Sequence, residues 1–185
     1  MDVSKLLAPD LERIAPEDGL ALVQMPFSGS GGASFVDGDD QGNRLRLRMF
    51  VRESDCRMFS KAWFGPQAEG PPGHAHGGSM AAILDHTMGV AAWVAGYPVL
   101  AASITIDFVK KLPLGGIVTV ETWVSGREGK KVTTQGRIYD TDPDTPYSTG
   151  EGIFILQRLD AFTNLAGHGD VLKSHMKDTP VEPAE

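Results

Sequence analysis

Hydrophobic and polar residues alternate along most of this chain, which is the pattern of half-buried β-strands. Leu45, Leu47, Met49 and Val51, for example, alternate with arginines. Six strands are predicted in this way, over residues 44–52, 57–64, 100–108, 118–124, 132–138 and 153–159. Polar turns separate the later strands: residues 126–129 contain two glycines, and residues 140–146 are rich in Asp and Pro. Strands close together in sequence favour an antiparallel sheet.

A longer apolar segment near the middle of the chain predicts one buried helix over residues 77–96. Asp85 and His86 lie inside this segment, and a membrane span would strongly disfavour both. On the helix Ala81, Asp85, Gly89 and Ala92 fall along one stripe. A single helix followed by a run of strands predicts an α+β fold, with the sheet curled round the helix.

The chain divides into three parts by composition. Residues 1–43 are predicted to be an irregular arm and linker, because prolines interrupt them and residues 28–32 are only Gly and Ser. Residues 44–160 hold the predicted domain, and residues 161–185 form a polar tail. The length suits one domain with a substantial core.

Charge and cysteine content limit the kinds of partner and the cellular compartment that the sequence favours. A net charge of −7 argues against nucleic acid, since no basic excess exists to displace counterions from phosphates. The single cysteine, Cys56, cannot form an internal disulfide, which favours a reducing, cytoplasmic setting. The N-terminus lacks the pattern of a secretory signal, and no membrane span is predicted.

The chemistry is concentrated where the helix begins. Gly77 and Gly78 directly precede or open the helix, so its unbonded N–H groups and its dipole can face a developing oxyanion. Asp85 follows on the small-residue stripe, where a carboxylate is costly unless it is paired or works in a reaction. The alternatives are a plain glycine-rich loop, and an Asp85 bonded to a backbone amide or to His86.

These residues resemble a known family. His76-Gly77-Gly78, six residues, then Asp85, with the later segment 104–115 and the turn 126–130, is similar to the hotdog-fold thioesterases. Within them the similarity is greatest to the PaaI-like group and the mammalian acyl-CoA thioesterases that share its motif. The resemblance covers roughly residues 64–159.

The resemblance implies a homodimer whose sheets join edge to edge, with dimers often pairing into tetramers. It also implies that the Gly77 N–H faces the thioester carbonyl, while Asp85 comes from the partner subunit as general base or nucleophile. His76 is expected to orient the loop or the carbonyl. Gly77 and Asp85 are roughly 12 Å apart along one helix, so a site shared between two chains makes physical sense.

Two positions depart from the family. Many members have Ser or Thr where this chain has Ala101, and Ser103, expected on the same strand face, is a candidate to replace it. Some members have Asn where Gly70 stands. Five basic residues are expected to gather at one sheet edge and contact CoA phosphates, as the resemblance implies; the alternative is that they are solvated surface charges. They are Lys110, Lys111, Arg127, Lys130 and Lys131.

The sequence therefore predicts an acyl-CoA thioesterase that needs no cofactor beyond the CoA of its substrate. His74, His76 and His86 with Asp85 do not make a convincing metal site, because no further ligands converge on them in sequence. A hotdog enoyl hydratase is less well supported, since its paired Asp and His are missing. The rival from another class is a non-catalytic acyl-CoA-binding module.

Overall fold

The computed structural model describes residues 2–23, 35–36 and 42–158. Within them one long helix lies against a seven-stranded sheet, which confirms the predicted α+β arrangement. The elements are β1 Leu20–Val23, β2 Leu45–Arg52, β3 Arg57–Phe64, α1 Gly77–Val94, β4 Val99–Phe108, β5 Ile117–Glu128, β6 Lys131–Tyr139 and β7 Ser148–Leu156. The sheet order is β1-β2-β3-β5-β6-β7-β4, with every neighbouring pair antiparallel.

The helix packs closely on the sheet because small residues allow it. A Cβ added at Gly136 on β6 would lie 2.8 Å from Thr122 Cγ2 and 3.0 Å from Leu84 Cδ2, so a larger residue would crowd the contact between sheet and helix. Nearby, the Thr122 hydroxyl of β5 donates to the Thr87 carbonyl of α1 at 3.0 Å. Leu84 and Thr87 are fully buried at this contact. The sheet therefore covers one side of α1 and leaves the other side open.

The helix ends slightly earlier than predicted. Gly96 has φ +93°, a conformation that favours glycine, and its N–H donates to the Trp93 carbonyl. The Tyr97 N–H then donates to the Ala92 carbonyl. These two bonds turn the chain out of the helix after Val94, so residues 95 and 96 belong to the connection toward β4.

The N-terminal arm is more ordered than the sequence indicates. Residues 20–23 pair with β2 as the edge strand β1, and Leu11 lies buried in a short 3-10 helix. Arg46 donates to the Pro9 carbonyl, and Arg48 forms an ion pair with Glu12. The prediction of an irregular arm was wrong for residues 20–23, because this strand depends on pairing with β2, far along the chain, which local composition does not reveal.

The predicted boundaries at residues 43 and 160 remain predictions. Most of the linker over 24–43 and all of the polar tail over 161–185 lie outside the described residues. Within the described ranges, no helix is both long and apolar enough to cross a lipid bilayer.

Candidate active site

The loop before α1 is held from both sides. The His76 N–H donates to the Ala68 carbonyl at 2.8 Å, and the Ala75 N–H donates to the Leu112 carbonyl at 2.8 Å. The loop therefore forms part of two short antiparallel pairings, one with residues 68–70 and one with residues 112–114. This arrangement fixes where the helix begins and where its first amides point.

His76 caps the helix. Its Nδ1 accepts the Gly78 N–H at 2.9 Å, and its carbonyl accepts the Ser79 N–H at 2.9 Å. Nδ1 must be unprotonated to accept this bond, so in the neutral ring the proton is on Nε2. Sequence reasoning treated Gly77 and Gly78 as equivalent donors, but the Gly78 N–H is already used. Among the described residues, nothing accepts the Gly77 N–H, which leaves it available to a ligand.

Asp85 lies on the side of α1 that the sheet does not cover. It is half-buried, as are Ala81 and Gly89, one turn before and one turn after it. Burial raises the pKa of the Asp85 carboxyl above its ordinary value of 3.8, while the charge of His86 acts in the opposite direction. A carboxyl with a raised pKa in a partly dry groove is a stronger base than an ordinary surface carboxylate.

Asp85 and the Gly77 N–H cannot serve one carbonyl within a single chain. Eight residues of helix separate them, which corresponds to about 12 Å along the axis. The donor and the carboxylate lie on the same helix, two turns apart, so two antiparallel copies of α1 would be needed to bring one of each together.

Within the described residues, strand β4 forms one edge of the sheet and pairs only with β7. Three large apolar residues on it are exposed, namely Leu100, Ile104 and Phe108. An open edge with exposed apolar side chains is a surface on which another strand can pair.

Phe108, at the end of β4, was not assigned a role from the sequence. A Cβ added at Gly77 would lie 3.1 Å from Phe108 Cζ, so the ring contacts the backbone of the one open helix amide. Phe108 pairs with Ser148, which is buried, and this places its side chain on the helix side of the sheet. The available indication of a role at this site was that an apolar residue stands at the end of an edge strand.

Ser103 does not lie where the sequence places it. Ala101 pairs with Phe154 and Ser103 pairs with Ile153, so Ala102 is an extra residue in a β-bulge. Directly opposed residues point to the same face, and Phe154 is buried against α1. Ala101 therefore faces the helix and Ser103 faces the outer side. The prediction that they share a face was wrong, because strict alternation does not survive a bulge.

The five basic residues do not gather at one edge of this chain. Lys110 and Lys111 follow the C-terminal end of β4, whereas the other three flank the β5–β6 turn, near the N-terminal end of β4. The two groups are separated by roughly the length of β4, about 30 Å. The turn group consists of Arg127, Lys130 and Lys131. The C-terminal end of β4 and the β5–β6 turn lie at opposite ends of the sheet. The expectation that the basic residues form one cluster was therefore wrong for a single chain.

Lys110 and Arg127 each stack on an aromatic ring. The Lys110 Nζ lies 4.5 Å from the centre of the Tyr147 ring, and the Arg127 guanidinium lies 5.3 Å from that of Tyr97. Both contacts restrict long side chains that would otherwise be free. Across the described part of the chain, no three His, Cys, Asp or Glu side chains are grouped to hold a metal ion.

Comparison with known proteins agrees with this geometry. Residues 72–147, which span the loop, α1, β4, β5 and β6, match the model of the thioesterase superfamily. Acyl-coenzyme A thioesterase THEM4 of Xenopus laevis is 33% identical over 117 residues, covering 63% of this chain and 53% of that protein. Human acyl-coenzyme A thioesterase THEM5 is 32% identical over 120 residues, covering 65% and 49%. The chain thus spans about half the length of these relatives.

Solved structures show the same fold. Thioesterase superfamily protein RHA08564 superposes with a TM-score of 0.56 at 29% identity, covering 60% of this chain and 53% of that one. PaaI of E. coli, from the phenylacetic acid degradation operon, superposes with a TM-score of 0.52 at 16% identity, covering 56% and 75%. Residues 72–147 thus match the thioesterase superfamily, and the domain that contains α1 and its sheet has the hotdog fold of these solved structures.

Proposed function

We propose that this protein hydrolyses acyl-CoA thioesters at a site formed by the Gly77 N–H of one chain and Asp85 of a second copy. The observation that carries the proposal is the presence on one helix of two groups, namely an open amide at its start and a half-buried carboxyl of raised pKa on its uncovered side. The relatives named acyl-coenzyme A thioesterases support CoA as the thiol part of the substrate.

The Gly77 N–H supplies the stabilisation of the oxyanion. As the thioester carbonyl becomes tetrahedral, its oxygen gains charge in front of this donor and of the positive end of the helix dipole. The Gly78 N–H donates to His76 Nδ1 and is therefore not available to a substrate oxygen. His76 is thus a positioning residue that keeps the first helical turn in shape.

Asp85 completes the reaction by one of two routes. As a general base it takes a proton from water, whose hydroxide attacks the carbonyl; the tetrahedral intermediate then expels the CoA thiolate, which acquires a proton. As a nucleophile it attacks the carbonyl itself, releases the thiolate and leaves an acyl anhydride that water hydrolyses. Both routes yield a free acid and CoA, and both need the ionised carboxylate.

A two-fold axis beside β4 would assemble this site. Two β4 strands pairing antiparallel would extend the sheet, satisfy the backbone groups of this edge and set the two α1 helices side by side. The same axis would bring Lys110 and Lys111 of one chain within about three strand spacings, or ~15 Å, of the β5–β6 turn of the other. The basic residues that lie apart in one chain would then flank one CoA, whose phosphates they would bind. Pairing of dimers into tetramers and a cytoplasmic location remain part of the same proposal.

The primary test is CoA release from aromatic, short-chain and long-chain acyl-CoAs by the unmodified protein and by Asp85→Asn. Turnover of one acyl class that collapses in the variant, while folding is retained by circular dichroism, supports the proposal. Unchanged turnover in the variant removes Asp85 from the chemistry. Absence of turnover for every ester contradicts the enzyme assignment.

A mixing experiment tests whether the site is shared. Gly77→Pro removes the N–H at a helix position that tolerates proline, and Asp85→Asn removes the base. Each variant alone should be inactive, but a mixed dimer has one site in which both groups are intact. Equal amounts, unfolded together and refolded, should regain about a quarter of normal activity, because half the dimers are mixed and each has one good site. No recovery would indicate a site within one chain.

A non-catalytic acyl-CoA-binding module is the second candidate. It is favoured by Ala101, since the position that faces α1 from β4 has no hydroxyl to hold a water. Mass spectrometry after incubation with acyl-CoA separates the two functions. Recovery of intact bound ester supports the module, whereas free CoA and free acid support the enzyme.

A further inference from the structure

Phe108 is exposed although it is large and apolar. The residue is 55% exposed, and Val109 after it is 60% exposed. The end of the Phe108 ring nevertheless touches the helix start, because its Cζ, Cε1 and Cε2 lie 3.1, 3.3 and 3.5 Å from where a Gly77 Cβ would be. One part of the ring therefore covers Gly77, and the rest faces open space next to the same amide.

The backbone around Phe108 is firmly placed. The Val109 and Lys110 N–H groups both donate to the Tyr147 carbonyl, at 2.9 and 3.1 Å. On the other side of Phe108, the Asp107 carbonyl accepts the Ser148 hydroxyl at 2.9 Å. These bonds prevent the strand end from drifting, so the ring contact with Gly77 is set by the sheet and does not depend on a flexible loop.

The order of groups along the chain indicates which part of a substrate would meet this ring. Phe108 lies against the Gly77 backbone, and it is followed along the chain by Lys110 and Lys111, both exposed. A thioester whose carbonyl binds at Gly77 and whose phosphates lie near the lysines would run its thiol arm past Phe108.

We infer that Phe108 is a substrate-binding residue that forms an apolar wall for the pantetheine arm next to the thioester sulfur. This inference rests on the proposed function. It adds that Phe108 contacts the thiol side of the thioester and not the acyl side. An arm common to all acyl-CoAs contacts Phe108 in the same way whatever the acyl group. The ring contributes to binding of every ester, and it does not select among acyl chains.

Steady-state kinetics of Phe108→Ala with two acyl groups, each as CoA ester and as pantetheine ester, tests the inference. The KM of all four esters should rise by about tenfold, in line with loss of one large apolar contact, while the ratio of kcat/KM between acyl groups stays unchanged. Phe108→Leu should restore much of the loss. Ile117→Ala, which also removes an exposed apolar side chain but at the start of β5, is the matched control and should change no KM.

A change in the ratio between acyl groups would place Phe108 on the acyl side and overturn the inference, as would an unchanged KM for all esters. Binding of the same esters to Asp85→Asn and to Asp85→Asn with Phe108→Ala, measured by calorimetry, separates the two proposals. Weaker binding in the double variant supports the wall even if Asp85 proves unnecessary for turnover. Equal binding by the two proteins, or no binding by either, overturns it. Sedimentation of Phe108→Ala must show the oligomeric state of the unmodified protein.

Discussion

Gly70 lies directly against the backbone of His76. A Cβ added at Gly70 would lie 2.7 Å from His76 Cα and 3.1 Å from its Cβ, and the first of these atoms is backbone that cannot rotate away. The same His76 caps α1 through the Gly78 N–H. The absence of the Asn that some family members have at this position is therefore a packing requirement of this chain.

Gly70→Ala should displace the helix start. Overpacking of this kind costs about 1–3 kcal/mol of unfolding free energy, and a shift of the Gly77 amide by ~1 Å would lower kcat/KM on the order of 100-fold. Gly116→Ala is the matched control, since nothing lies within 4 Å of the Cβ it would add. Thermal unfolding and CoA release measure both effects. Normal activity in Gly70→Ala would show that the loop adapts.

The bulge in β4 predicts opposite outcomes for two neighbouring substitutions. Ser103→Ala should leave kcat within about twofold of normal, because Ser103 faces away from α1. Ala101→Ser adds a hydroxyl on the helix side and should raise kcat by up to about tenfold if it holds the attacking water. CoA release at saturating substrate measures both. A large loss in Ser103→Ala would contradict the face assignment from the register.

The sequence predicted the fold well because its information is local and repeated. The local pattern located six of the strands, although β7 begins at Ser148, five residues before its predicted start, and the central apolar segment located α1 to within two residues at its end. The errors occurred where long-range geometry decides. Ser103 changed face through a bulge at Ala102, and β1 formed because β2 offered an open edge. Strand spacing alone could not show that neighbouring turns lie at opposite ends of the sheet.

The residues of the candidate site could be predicted from the sequence better than the individual role of each residue. The positions of the His-Gly-Gly motif at the start of α1 and of Asp85 on its uncovered side could be predicted from the helical period. Which amide stays free depended on the side chain of His76, whose rotamer the sequence does not specify. Phe108 was missed because an aromatic residue at a strand end is normally part of a core.

His76 should be replaceable by a residue that caps equally well. Asn has a side-chain oxygen that can accept the Gly78 N–H, so His76→Asn should retain most activity and stability. His76→Ala leaves that amide without its acceptor and should cost about 1 kcal/mol of unfolding free energy, together with part of the activity. Denaturant unfolding and CoA release are the measurements. If His76→Asn is as impaired in turnover as His76→Ala, the imidazole contacts the substrate carbonyl as well.

The two basic groups should act on the same part of the substrate. Lys110→Ala with Lys111→Ala, and separately Lys130→Ala with Lys131→Ala, should each raise KM for an acyl-CoA by about tenfold and leave KM for the matching pantetheine ester unchanged. Both effects should shrink as salt is added, because exposed charges are screened. Equal effects on both esters would show that these lysines do not bind phosphate. An effect from only one pair would contradict the shared arrangement across the two-fold axis.

Asp85→Asn should stabilise the protein at neutral pH while it removes activity. Burial raises the pKa of Asp85 in the folded state, so the folded chain holds this proton more tightly than the unfolded chain. Ionisation then destabilises the fold as pH rises from the ordinary value of 3.8 through the raised pKa, and that cost persists above it. Asn carries no charge and avoids the cost, so the midpoint of thermal unfolding at pH 7 should rise by about 2 °C.

Scans at fixed protein concentration from pH 7 downward should show the advantage disappearing as Asp85 becomes protonated. A variant that is less stable than the unmodified protein at pH 7 would mean that the carboxylate has a stabilising partner, and its role as a base would then lose its physical support.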